Sequence, residues 1–285
     1  MKVLVTGVKG QLGYDVVKRL NMLNIDCKGV DIDDFDLTNK QQVTDYITEY
    51  SPDAIIHCAA YTAVDRAQDD KELCYNVNVS GTENIACAAN QIDAKLVYIS
   101  TDYVFNGEGT NFYKPEDAKN PVSQYGLTKS LGEDKVTQKL EKYFIVRTSW
   151  VFGINGNNFV KTMLRMGKEQ EEVNVVADQI GSPTYTYDLA RLLCDMVQSE
   201  KYGIYHATNE GVCSWADFAK EIMTLGNRKC KINPITTEEY PTKARRPKNS
   251  RMSKDKLQEK GFSKLPPWQD AVKRYIEELK SQGAL

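Results

Sequence analysis

The chain has 285 residues, 41% of them hydrophobic and 27% charged, with a formal net charge of −2. That composition suits a soluble globular protein with a sizeable core, in one large domain or two unequal ones. It excludes nucleic acid and acidic membrane surfaces as main partners, which need a basic excess, and no apolar run approaches the ~18 residues of a membrane span. The amino terminus runs straight into a strand, so no cleaved signal is expected. Seven cysteines, odd in number and without a C-x-x-C pair, read as reduced thiols of a cytoplasmic protein. With only His57 and His206 beside them, no metal ligands are assigned, and a divalent-ion requirement is left open.

Residues 2–6 (KVLVT) form a short apolar strand. The following TGVKGQLG sets Gly7, Gly10 and Gly13 before an amphipathic stretch to about Leu23. Such glycines allow a tight turn, close approach of backbone N–H groups to a pyrophosphate, and close helix-on-strand packing. A second strand, about Asp26 to Val30, ends in Asp31, 18 residues beyond Gly13. A carboxylate there suits the adenosine ribose hydroxyls of NAD and repels a 2′-phosphate. Asp36 and Leu37 offer one polar and one apolar contact for an adenine, while Asp33 and Asp34 read as surface acids.

Pro52 to Ala60 reads as a third buried strand whose small Ala59 and Ala60 let a ribose lie against the backbone. A polar helical stretch and a helix over YNVNVSGTENIACAANQ follow, with Asn78 on an apolar face where its amide must find partners. Lys95–Thr101 is a fourth strand, 123–141 a helix, and Tyr143–Ser149 a fifth strand. On that helix Tyr125 and Lys129 stand four residues apart, hence on one face. An ammonium near a phenol favours phenolate and pulls the hydroxyl below its ordinary pKa of ~10, and the Thr101 hydroxyl completes a proton-donating site. Tyr14 and Lys18 share the same spacing, but they follow the glycine loop and read as a helix-surface pair. Strand and helix alternate without internal repeat, which predicts an α/β, Rossmann-like, doubly wound parallel sheet with its site at the carboxyl ends of the strands.

After Trp150 the texture changes to a polar turn, a helix, and a succession of short strands and helices: GIYHA, SWADFAKEIMTL, KINPI and a terminal helix from about Trp268. Residues 1–150 are read as a dinucleotide-binding domain, with the chain returning to it around 173–200, and residues 151–285 mainly as a smaller substrate-binding lobe. In that lobe Lys243, Arg245, Arg246, Lys248 and Arg251 fall within nine residues. Arginine forks bind phosphate oxygens at two points, so this loop is expected to meet a diphosphate, with Arg246 foremost.

TGVKGQLG, AAYTAVDRAQ, STDYVFNG, YGLTK, RTSWVFG, NNFVKTMLR and RRPKNSRM together resemble the extended short-chain dehydrogenase/reductase superfamily, and look most like its dTDP-4-dehydrorhamnose reductase branch. The resemblance implies catalytic positions at Thr101, Tyr125 and Lys129 and cofactor contacts at Gly10, Gln11, Leu12, Asp31, Asp36 and Leu37. It extends the cofactor wall to Tyr61, where relatives carry another ring such as histidine. On the substrate side it implies Asp102, Trp150, and, from STDYVF and NNFVK, Val104, Phe105 and Asn158. The implied reaction is reduction of the 4-keto group of a dTDP-linked 4-keto sugar to dTDP-L-rhamnose, for surface polysaccharide. The resemblance implies NADPH or either cofactor and Asp31 argues for NADH, so dual use is expected, with Lys9 a candidate 2′-phosphate partner. A homodimer is plausible from the family.

Two other readings compete. A nucleotide-sugar epimerase or dehydratase of this fold would retain its NAD unconsumed, although no Asp-Glu pair follows Thr101 to serve dehydration. A non-catalytic regulatory chain, similar to the β subunit of methionine adenosyltransferase, would bind a dinucleotide and a partner enzyme without turnover.

Overall fold

The computed structural model describes residues 1–283, so the expected unit 151–285 ends on two residues outside those described. In the first half, β1 (Lys2–Thr6), α1 (Gln11–Met22), β2 (Asp26–Val30), α2 (Lys40–Tyr50), β3 (Ala54–His57), α3 (Lys71–Tyr75), α4 (Thr82–Gln91), β4 (Lys95–Thr101), α5 (Gln124–Lys139) and β5 (Tyr143–Thr148) follow in turn. The second half holds β6 (Val151–Phe152), α6 (Phe159–Glu169), β7 (Glu172–Val176), β8 (Ile180–Gly181), β9 (Thr184–Tyr185), α7 (Thr186–Val197), β10 (Gly203–His206), β11 (Cys213–Ser214), α8 (Trp215–Leu225), β12 (Lys231–Ile235), α9 (Asp255–Glu259) and α10 (Trp268–Ser281).

Six strands form one parallel sheet in the order β10-β5-β4-β3-β1-β2. Both faces are covered, and the two-residue period of a strand sorts the side chains between them. Val3, Val5, Ala54, Ile56, Val97, Phe144 and Val146 meet α1 and α7. Leu4, Ile55, Leu96, Tyr98 and Ile145 meet α2, α4 and α5 on the opposite face. A separate apolar cluster unites α6, α8 and α10 with the β7–β12 pair, drawing on Phe152, Leu164, Val173, Phe218, Ile222 and Tyr275.

Three sequence expectations shift. GIYHA, read as part of the lobe, is β10 and extends the main sheet beside β5. The chain does return to the sheet, through α7 and then β10, but β7, inside the interval 173–200, pairs with β12 instead. The third strand is only Ala54–His57, because Cys58–Ala60 leave the ladder to line the cleft at the sheet's carboxyl edge.

Candidate active site

A cleft of about 880 Å³ opens along the carboxyl ends of β1, β2, β3, β4 and β5. One end of it is the glycine turn. Gly7 has φ +73° and lies so close to β3 that a Cβ there would come within 2.6 Å of the Ala59 nitrogen. A Cβ on Gly13 would sit 2.3 Å from the Gly7 carbonyl oxygen. Gly10 precedes α1 without a side-chain cap, leaving the first N–H groups of the helix for an anion. The turn is also strapped from the lobe: Gln11 Oε1 accepts from Gly153 N–H at 2.9 Å and Asn158 Nδ2 at 3.0 Å, and Asn155 donates to the Lys9 carbonyl at 2.7 Å. A close backbone cradle, an uncapped helix end and a long cleft fit a dinucleotide.

At the end of β2, Asp31 accepts the N–H groups of Lys9 and Ile32 at 2.8 and 2.9 Å. Asp36 accepts Thr38 N–H and hydroxyl, both at 2.8 Å, and Leu37 lies beside Gly81. Lys9 pairs with Asp33, the acid read from sequence as a plain surface residue. Gln11, Leu12, Ala59, Ala60 and Tyr61 line the same cleft. Asn78 holds the Tyr61 backbone on both sides, accepting its N–H at 2.8 Å and donating to its carbonyl at 3.1 Å.

The opposite wall carries Thr101, Asp102, Tyr125 and Lys129. Helix α5 approaches so closely because two of its residues lack a Cβ: one on Gly126 would strike the Tyr103 carbonyl at 2.2 Å, and one on Gly132 the Tyr98 hydroxyl at 2.3 Å. Ser123 caps the helix by accepting Gly126 N–H at 3.1 Å. Burial pushes the Tyr125 phenol well above its ordinary value, opposed by its contact with the Thr101 hydroxyl, so the ring is protonated at neutral pH. Burial also pushes Lys129 down to about 7, with the Glu133 carboxylate pulling it back up. The Lys129 ammonium lies 4.1 Å from the centroid of the Tyr98 ring. The lowering of Tyr125 expected from the four-residue spacing is therefore replaced by a net rise: burial outweighs the one neighbour that favours phenolate.

Asp102 is fully enclosed, accepting the Thr101 hydroxyl at 3.0 Å and the Ser250 hydroxyl, and burial raises its carboxyl to about 6. Trp150, at φ +51°, stacks on Trp215 with ring centroids 3.8 Å apart. Gly181 makes room for it, since a Cβ there would meet the indole at 2.9 Å. A non-glycine residue held at positive φ is the kind of local strain found at ligand sites.

Four expected substrate residues stand outside the cleft lining. Val104 and Phe105 are completely buried in a small cluster with Met252 and Tyr113, because the turn after β4 points them into the protein. Asn158 caps α6 and spends its amide on Gln11, the Gly153 carbonyl and the Tyr275 hydroxyl. Arg246 donates to the hydroxyl of the cleft residue Tyr103 at 3.3 Å and pairs with Asp65. Its neighbours are also matched, Lys243 with Asp69, Arg245 with Glu108 and Lys248 with Asp178 and Glu238, so much of the expected phosphate loop is internally compensated.

Sequence reading passed over Trp215, Ser250 and Glu133. Trp215 follows the Ser214 cap as the first residue of α8, a position whose spacing does not mark it for a cleft. Glu133, one turn beyond Lys129, was the legible one, since a carboxylate at that spacing shares the buried face. It forms a two-point pair with Arg147, both bonds 2.8 Å, and accepts the Ser100 hydroxyl. Among the described residues, no group of three or more His, Cys, Asp or Glu side chains is placed to hold a metal ion, and no helix is long and apolar enough to cross a membrane.

The family model described as RmlD substrate binding domain matches residues 1–281. A dTDP-4-dehydrorhamnose reductase of Aggregatibacter actinomycetemcomitans is 41% identical over 95% of this chain and 97% of its own. Crystal structures of the Clostridium acetobutylicum reductase of that name and of the Bacillus anthracis one in complex with NADP superpose with TM-scores of 0.96 and 0.95. Their identities are 43% and 45%, and the matches cover 98% and 97% of this chain and 100% and 99% of theirs. With the match spanning both halves of the molecule, the chain belongs to the RmlD substrate-binding-domain family, whose similar members are named dTDP-4-dehydrorhamnose reductases.

Proposed function

We propose that the chain reduces the 4-keto group of dTDP-4-dehydro-L-rhamnose to give dTDP-L-rhamnose, using NADPH or NADH. The observation that carries this reading is the convergence of Thr101, Tyr125 and Lys129 on one wall of a cleft whose other end is a glycine turn built for a pyrophosphate. The NADP complex of the Bacillus anthracis relative supports the phosphorylated cofactor, and Asp31 supports the other. Residues 1–150 with α7 and β10 form the dinucleotide-binding unit in this reading, and the remainder the substrate lobe.

The dinucleotide, when bound, supplies a hydride to the sugar's carbonyl carbon. The buried, protonated Tyr125 hydroxyl gives its proton to the developing alkoxide, a contribution of roughly 10²- to 10⁴-fold. Lys129, with a pKa of about 7, carries a proton close to the energy at which it can be shared, and its charge stabilises the phenolate left behind. Thr101, whose hydroxyl donates to Asp102 in the ligand-free structure, turns that proton to the carbonyl oxygen when the sugar is bound. The Trp150–Trp215 stack forms an apolar wall that excludes water from the sugar ring, and Tyr103 with Arg246 borders the side that would take the diphosphate of the sugar nucleotide. Free thiols at all seven cysteines accord with a cytoplasmic location.

The test follows cofactor absorbance with dTDP-4-dehydro-L-rhamnose, using a UDP-linked ketosugar as control. Stoichiometric oxidation of added cofactor with the dTDP sugar is expected. A purified chain that retains NAD and leaves added cofactor unconsumed would transfer the site to epimerisation.

A further inference from the structure

The adenosine end of the cleft gathers four carboxylates, Asp31, Asp33, Asp34 and Asp36, about one lining ammonium, that of Lys9. Asp31 is already committed through both oxygens, to the N–H groups of Lys9 and Ile32. Asp34 accepts the Asp31 N–H at 2.8 Å. Asp33 alone has its carboxylate on the Lys9 ammonium. Lys9 and Asp31 line the cleft, whereas Asp33 stands behind them, 71% exposed. The pair thus sits where an adenosine ribose would project its 2′ position, given the pyrophosphate cradle at Gly7–Gly13 and the ribose-facing carboxylate at the end of β2.

We propose that Asp33 sets the preference between the two dinucleotides by holding the Lys9 ammonium, so that a 2′-phosphate must displace a carboxylate while free ribose hydroxyls need not. The inference rests on the dinucleotide reading above and adds a specificity residue to it. The chemistry is competition for one cation. A phosphate monoester brings close to two negative charges, and among the described residues Lys9 is the only cationic side chain lining that end of the cleft. Asp31, bound by two backbone donors, serves the 2′- and 3′-hydroxyls of the unphosphorylated form. The contact with Asp33 also raises the Lys9 pKa above its ordinary value, so the ammonium stays charged throughout the neutral range. Because the pair is exposed, salt weakens it, and the penalty against the phosphorylated cofactor should fade as ionic strength rises.

The experiment is calorimetric titration of the full chain with NADP⁺ and with NAD⁺, for wild type, Asp33→Asn, Lys9→Ala and the double variant. Asp33→Asn should tighten NADP⁺ by about fivefold, the size of one unit-charge interaction at contact in water, and leave NAD⁺ within twofold. Lys9→Ala should weaken NADP⁺ selectively, and adding Asp33→Asn to it should restore little. Equal tightening of both dinucleotides by Asp33→Asn, or the same NADP⁺ gain with Lys9 absent, would overturn the proposal and reduce Asp33 to general surface charge. Failure of wild type to bind either dinucleotide is a different result, removing the cofactor reading together with this one.

Discussion

Lys129→Met isolates the most unusual charge in the molecule. The side chain is 2% exposed, packed under the Tyr98 ring, and its pKa falls from 10.5 to about 7 because burial penalises the ammonium more than Glu133 helps it. Linkage fixes the sign. Between about 7 and 10.5 the unfolded chain holds a proton at this position that the folded chain has lost, so wild-type stability rises with pH at up to about 1.4 kcal/mol per unit. The cost of the buried charge is therefore greatest at and below pH 7. Methionine fills a similar volume without it. Relaxation around buried ions trims such figures, and losing the cation–π contact subtracts about 0.5–2 kcal/mol, which leaves a net stabilisation on the order of 1–2 kcal/mol at pH 7. Urea unfolding of both proteins at pH 7, 8.5 and 10 is the assay. The variant should lead at pH 7 and lose its lead by pH 10, while its turnover drops. A stability gap that does not change with pH, or a wild type that is the more stable at neutral pH, refutes the idea that a strained ammonium is kept here for chemistry.

Tyr125→Phe should lower turnover by about 10²- to 10⁴-fold with cofactor binding and unfolding midpoint nearly unchanged, and full activity would remove the phenol from the reaction. Asp102, raised to about 6, should give the pH–rate profile an acid limb near that value, because a protonated carboxyl no longer accepts from both Thr101 and Ser250. Its share of stability moves the other way: the folded chain binds this proton more tightly between 3.8 and about 6, so that share grows as pH falls through the window. Asp102→Asn should erase the limb, and a limb that persists would place it on another group. Gly13→Ala drives a methyl against the Gly7 carbonyl; a loss of about 1–3 kcal/mol with weakened dinucleotide binding is expected in thermal melts with and without cofactor, and an unaltered melt would contradict the close packing. Glu133→Ala strands the Arg147 guanidinium, 2% exposed, and should cost about 3–5 kcal/mol in denaturant unfolding, whereas a loss under about 1 kcal/mol would mean water reaches that pair.

The parallel sheet was legible because its physics is local and repetitive. KVLVT, AIIH, KLVYIST and YFIVRT are continuous apolar runs, as strands covered on both faces must be. Glycines before α1 and the Asp31 after β2 were legible for the same reason, since spacing along one βαβ unit fixes their positions. What escaped was set by direction. Val104 and Phe105 follow Thr101, Asp102 and Tyr103 without a break, and only the turn after β4 decides that the first three residues face the cleft and the next pair the core. GIYHA looked like any short lobe strand because nothing in five residues says which edge it will join. The basic loop misled through its density: charge clustered in sequence is matched in space by Asp65, Asp69, Glu108 and Asp178, which lie far away along the chain, and by the nearby Glu238.

Asn78 shows how a functional geometry hides inside ordinary helical periodicity. The stretch preceding α4 reads as plain helix, yet Asn76–Gly81 adopts a π-helical turn that makes room for one more residue. The amide of Asn78 faces inward there, clamping the Tyr61 backbone of the cofactor wall while also donating to the Thr128 hydroxyl at 3.1 Å, one residue before Lys129. Gly132 lets α5 come close enough for this, as a Cβ would stand 2.7 Å from the Asn78 carbonyl. The cleft wall at Tyr61 and the helix that carries Tyr125 and Lys129 are thereby fixed to each other through one side chain. A displacement of about 1 Å between such walls is enough to cost ~10²-fold in rate. In the proposed reaction Tyr125 and Lys129 are thus aligned by a buried amide that touches none of the chemistry, and its partners are backbone atoms, a threonine and the Cys74 thiol, which no spacing rule would single out.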